Sequence, residues 1–102
     1  MIGVFVNFHY EDGGFDKARV EKVAEKAHGM FEGMPGLRYK FFTVDAKRSV
    51  ATNFYLWDSD DAARAFFTDE LTERVTGMYG TKPSIDFVEI AAVVENAPAA
   101  VS

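Results

Sequence analysis

The sequence predicts an α+β domain in the ferredoxin-like arrangement, β-α-β-β-α-β, in which a four-stranded antiparallel sheet carries two helices on one face. Three observations predict it. Four segments rich in Val, Ile, Phe and Tyr alternate with a two-residue period, and two others repeat apolar residues every three or four positions. Only a few polar residues join the middle two strands, which favours a hairpin.

Ile2 to His9 reads as the first strand, with Ile2, Val4, Val6 and Phe8 on one face and Gly3, Phe5, Asn7 and His9 on the other. Glu11, Asp12, Gly13 and Gly14 break it with turn chemistry. From Phe15 to Phe31, Val20, Val23, Ala24, Ala27, Met30 and Phe31 form one apolar stripe among charged residues, which predicts an amphipathic helix. Gly33 and Pro35–Gly36 end it. Leu37 to Asp45 is the second strand, with Tyr39, Phe41 and Thr43 opposing Arg38, Lys40, Phe42 and Val44. Ser49 to Trp57 is the third, with Asn53, Tyr55 and Trp57 against Val50, Thr52, Phe54 and Leu56. Asp58, Ser59, Asp60 and Asp61 supply capping oxygens and negative charge for a second helix, bent near Thr68 and Asp69. Thr76 to Ser84 reads as a loop carrying Met78 and Tyr79, and Ile85 to Glu95 as the last strand.

With 102 residues the chain makes one domain, expected over residues 1–96, followed by a flexible small-residue tail over 97–102. Apolar residues at 48% and aromatic residues at 15% exclude disorder for the bulk of it. A net charge of −5 with no basic stripe argues against nucleic acid and anionic membrane as partners, because both need clustered positive charge. Without Cys there are no disulfides, thiolate nucleophiles or iron–sulfur clusters. The start Met1-Ile2-Gly3-Val4 shows neither a basic leader nor a long apolar run, so a cytoplasmic location is expected.

Two helices cover one sheet face only. The other was expected to hold Val4, Val6, Phe8, Val50, Phe54, Leu56, Val88, Ile90 and Val94, and so much apolar surface predicts a homodimer joined through sheet faces.

The covered face offers the candidate chemistry. Asn7 and His9 point the same way about 7 Å apart along the strand, and Asn53, Tyr55 and Trp57 were expected beside them. His9 would be the base, and Asn7, Tyr55 and Trp57 the hydrogen-bond donors to a developing oxyanion. Asn53, Phe66, Phe67 and Tyr79 would bind the substrate. Structural alternatives stand beside each: Trp57 as a plug at the barrel end, His9 as a spectator at a strand end, the Phe pair as core. Glu89 is the one carboxylate in position to be half-buried, whereas Asp58, Asp60 and Asp61 are explained by capping and not by a metal.

The run Met34-Pro35-Gly36-Leu37-Arg38-Tyr39-Lys40 and the run Asn53-Phe54-Tyr55-Leu56-Trp57-Asp58-Ser59-Asp60-Asp61-Ala62 resemble the dimeric α/β-barrel superfamily, most of all its YdhR-type monooxygenases, relatives of the antibiotic-biosynthesis monooxygenases. The resemblance covers roughly Val4 to Glu95. It implies a homodimer whose sheets close into a barrel, a cavity in each subunit between sheet and helices, and an Asn on the first strand and a Trp ending the third, matched here by Asn7 and Trp57. The haem-degrading branch adds a His on the second helix, and this sequence has none there. The expected function is cofactor-independent monooxygenation of a small aromatic or polyketide-like compound. A cyclase or isomerase on the same barrel, or a non-catalytic binding module, are the alternatives.

Overall fold

The computed structural model describes residues 1–11 and 14–96. The elements are β1 (Ile2–His9), α1 (Lys17–Phe31), β2 (Leu37–Asp45), β3 (Val50–Trp57), α2 (Asp60–Phe66), α3 (Asp69–Tyr79) and β4 (Ser84–Glu89). Every neighbouring pair in the sheet is antiparallel and the strand order is β2-β3-β1-β4, so the two crossovers carry all three helices to one face. No helix among the described residues is long and apolar enough to cross a membrane. The expected tail over 97–102, and Asp12 and Gly13 of the first turn, lie outside the described residues.

Caps set the helix ends. Asp16 accepts a hydrogen bond from the Arg19 amide to start α1, and Ser59 accepts from Ala62 to start α2. The second helix, expected as one bent element, is two. Thr68 accepts from the Leu71 amide and starts a new helix, with Asp69 and Glu70 adding negative charge to its first turn. The loop expected over Thr76 to Ser84 is also corrected: α3 runs on to Tyr79, and Gly80 closes it at φ 81°. Tyr79 is 3% exposed, and its contact with the core, stacked on Phe8 at 3.8 Å between ring centroids, keeps the helix going past Gly77. The last strand ends at Glu89 instead of Glu95. The chain then leaves the sheet, with Ile90 against Gly3 and Glu95 accepting from the Tyr39 hydroxyl. A Cβ at Gly3 would stand 3.0 Å from the side chains of both Ile90 and Phe54, so a larger residue there makes them shift by a few tenths of an ångström.

Register places the faces of β1 opposite to expectation. Ile2, Val4, Val6 and Phe8 pair with Trp57, Tyr55, Asn53 and Ala51, and all of them face the helices with Val20, Ala63 and Tyr79 in the core. Gly3, Phe5, Asn7 and His9 therefore face outward with Leu56, Phe54, Thr52 and Val50. The reason is burial: β1 is a central strand, and its uniformly apolar row goes where water is excluded. A choice between two alternating rows is all or nothing, because the side-chain period is two. Val4, Val6 and Phe8 thus leave the predicted open face and Phe5 takes a place on it; Phe5, Tyr39, Phe41 and Val88 stand there, each more than a third exposed.

Gly36 locks β2 to the start of α2. Its φ is +82°, its carbonyl accepts from the Asp58 amide at 2.8 Å, and a Cβ there would lie 2.9 Å from the Ala62 Cβ. The left-handed conformation alone costs a non-glycine residue ~1–2 kcal/mol. Gly36→Ala is therefore expected to destabilise the domain by ~2 kcal/mol or more once the clash is added, read as a lower urea midpoint at unchanged slope.

Candidate active site

Pairing in the β2–β3 hairpin puts Lys40 directly across from Tyr55 and Phe42 across from Asn53, all four on the helix side of the sheet. Above them stand Phe31 of α1, Phe66 of α2 and Tyr79 of α3. Together with Val23, Ala27, Met30, Met34, Leu71, Arg74, Val75 and Met78 they enclose a largely apolar cavity of about 90 Å³. That is smaller than the ~150 Å³ space that takes up a benzene molecule. An aromatic ligand must displace side chains to enter, and Met30 and Met78, 62% and 37% exposed, are unbranched residues at the rim that can give way.

Inside, the polar groups are few and matched. The Lys40 amine donates to the Tyr55 hydroxyl at 2.7 Å, and the buried Asn53 amide donates to the Tyr79 hydroxyl at 3.1 Å. Tyr10 fixes the end of α3 by donating to the Tyr79 carbonyl at 2.7 Å. Three ring faces surround the Lys40 nitrogen, with the centroids of Phe31, Phe42 and Tyr55 at 3.4, 4.2 and 4.3 Å.

Burial shifts these groups away from charge. Desolvation lowers Lys40 from 10.5 to about 7, since burial strips hydration from its ammonium and no carboxylate among the described residues pairs with it. Ring faces return about 2 kcal/mol to a desolvated cation, less than the several kcal/mol that removing it from water takes away. Desolvation likewise pushes Tyr55 up, helped by Tyr79 nearby, and it pushes Tyr79 up against the opposing effect of its bond from Asn53. Both phenols stay neutral donors, and Lys40 is the group able to change charge near neutral pH.

Of the residues singled out in the sequence, Asn53, Tyr55, Phe66 and Tyr79 line this cavity. Trp57 and Phe67 stand one layer behind: Trp57 is 1% exposed, stacks on Tyr55 and meets Phe66 at a tilt, while Phe67 meets Tyr55 edge-on and reaches Phe87. Trp57 does not line the cavity, and its buried indole N–H has no hydrogen-bond partner among the described residues. Asn7 and His9 are not in the cavity. They lie on the outward face, where Asn7 accepts from the Thr52 hydroxyl at 2.7 Å and His9 is exposed. Glu89 is exposed at the end of the edge strand and not half-buried.

Lys40 is the residue that reading for function missed. The signal was in the alternation: a Lys two residues before Phe42 on the inward row of a strand, opposite a Tyr, with Arg38 taken off that row by the bulge between Leu37 and Tyr39.

No family model matches the chain, and no curated protein matches it in sequence. Solved structures do match in shape. The ActVA-Orf6 monooxygenase of Streptomyces coelicolor, solved with the ligand nanaomycin D, aligns at TM-score 0.67 and 17% identity, over 94% of this chain and 92% of that one. SnoaB, a cofactor-independent oxygenase from Streptomyces nogalater, aligns at 0.65 and 13%, over 93% and 97%. A protein of unknown function from Nitrosomonas europaea aligns at 0.71 and 16%, over 95% of each chain. None of these matches singles out the YdhR-type branch. The chain has the ferredoxin-like fold that antibiotic-biosynthesis monooxygenases share.

Proposed function

We propose that the chain is a cofactor-independent monooxygenase of a small aromatic or polyketide-like compound held between the sheet and the helices. The observation that carries this reading is the aromatic-walled cavity with two polar pairs, Lys40–Tyr55 and Asn53–Tyr79, on a fold known from monooxygenases. In such a reaction a deprotonated substrate reduces dioxygen itself. An anthrone CH₂ becomes C=O while the second oxygen atom leaves as water, so no external reductant enters the balance. The protein has to exclude water, hold the flat substrate against ring faces and stabilise an oxyanion, for which the Tyr55 hydroxyl and the Asn53 amide are the available donors.

An oxygen electrode tests this with a panel of anthrones and hydroquinones. Oxygen consumed in step with product supports the reading. Product without consumption turns it into a cyclase or isomerase, and binding without product into a binding module. Tyr55→Phe keeps the ring contacts and removes one donor, so turnover is expected to fall roughly 10²-fold.

The reading includes a cytoplasmic homodimer joined through the outward sheet faces. Phe5, Phe41, Phe54 and Val88 form a contiguous apolar surface there, with Phe41 55% exposed. A second copy would cover it by presenting the same surface. Sedimentation is expected to give about twice the chain mass of 11.4 kDa. Phe41→Asp should give the single-chain mass with the fold intact, because its ring packs on no helix.

A further inference from the structure

With His9 outside the cavity, the oxygenase reading lacks a proton acceptor, and one titratable amine stands where the substrate would lie. We propose that the Lys40 amine is the catalytic base: it takes the proton of an acidic hydroxyl on a bound phenol or enol, and the resulting ammonium holds the oxyanion. The proposal rests on the monooxygenase reading of this cavity and deepens it.

The geometry supports it in three ways. Lys40 sits on the cavity wall beside Tyr55 and Asn53, the two donors available to an oxyanion. The Phe31, Phe42 and Tyr55 rings hold its nitrogen in place without neutralising it. Its one hydrogen-bond partner among the described residues is a neutral hydroxyl, whereas Arg38, Arg48 and Arg64 each meet an aspartate. A long cationic side chain ordinarily reaches for water or a carboxylate. A half-buried amine that meets no carboxylate among the described residues is poised to exchange its proton with a ligand, and burial brings its titration to about 7.

The charged and titratable groups facing it leave this unchanged. Tyr55 on β3 and Tyr79 on α3 are held neutral. Arg74 on α3 is exposed at the rim and adds only positive charge, which opposes an ammonium at Lys40. At the end of α1, His28 and Glu32 pair with each other at 3.0 Å in a separate surface recess that Lys40 and the exposed Arg38 also border.

The step balances without a redox partner. The O–H bond of the ligand breaks, its electron pair stays on oxygen, and the proton forms a new N–H bond on Nζ. Only afterwards does dioxygen take electrons from the oxyanion.

The probe is 4-nitrophenol, which ionises near neutrality and changes colour when it does. At pH 8 the probe is an anion in solution and the Lys40 amine is largely neutral, so forming the ammonium–oxyanion pair takes up about one proton from the buffer. Calorimetric titration in two buffers of different ionisation enthalpy counts that proton. The wild-type chain should take it up, and Lys40→Met and Lys40→Arg should take up none, since neither can gain a proton there. Near pH 6 the bound probe should stay yellow in the wild type and become colourless in Lys40→Met. Binding without proton uptake, or equal uptake by Lys40→Met, overturns the proposal and leaves the cavity reading standing. Failure of 4-nitrophenol and of every aromatic in the oxygen-uptake panel to bind the wild type overturns both.

Discussion

Lys40→Met is expected to raise the melting temperature near neutral pH and to lose that advantage as the pH rises toward 10.5. In the wild type the Lys40 pKa is about 7 folded against 10.5 for an ordinary lysine, so between those values the unfolded chain binds a proton that the folded chain does not. Stability rises with pH wherever the unfolded state binds more protons, so the wild type gains across this window. Below about pH 7 both states carry the proton and the whole penalty remains. A displacement of this size corresponds to ~5 kcal/mol. Against it stands the loss of the bond to the Tyr55 hydroxyl, which leaves a buried polar group unpaired at ~1–3 kcal/mol. The net gain is ~3 kcal/mol at neutral pH, or roughly 15 °C in a domain of this length. Near pH 10.5 the charge penalty is gone and only the lost bond counts, so the variant becomes the less stable of the two. Thermal melts of both proteins at several pH values check this, and a variant less stable at every pH would refute the unpaired-cation account. The double change Lys40→Met with Tyr55→Phe removes both polar partners and should exceed the single change.

Asn53→Ala is expected to lower turnover on an anthrone ~10²–10³-fold, the usual loss of one oxyanion donor, while His9→Ala leaves it within about two-fold. Asn53 is 4% exposed, lines the cavity and is aligned by Phe42 across the hairpin and Tyr79 above it. His9 lies on the outer face of a central strand, separated from the cavity by the sheet itself. Steady-state rates for the two variants decide between the cavity described above and a site built on β1. A large loss with His9→Ala and none with Asn53→Ala would move the chemistry to the outward face. The Asn53 variant needs a folding control by circular dichroism, because Tyr79 loses its partner and closes α3.

Local chemistry wrote most of the architecture into the sequence. Two-residue alternation marked all four strands, the three- and four-residue repeat marked α1, and Ser59 with its acidic followers marked the start of α2. These signals are short in range, since a cap or an alternating row depends on neighbours within a turn or two. The Thr68 cap was equally local, and it was read as a bend because the apolar positions continue through it from Phe66 to Val75. Within the hairpin the inward row was legible too, so Asn53 and Tyr55 were placed with each other correctly.

The sequence by itself determined the elements, their order and the pairing of apolar rows within each strand. Only the tertiary structure decided which row of β1 met the helices. Both rows carry apolar residues, and the choice depends on how the strand docks between β3 and β4, a long-range contact that no local pattern reports. That one choice moved Asn7 and His9 out of the cavity and Val4, Val6 and Phe8 into the core. Lys40 was undecided for the same reason: a lysine in a strand is ordinarily solvated at its tip, and this one loses water because α1 lays Phe31 over it.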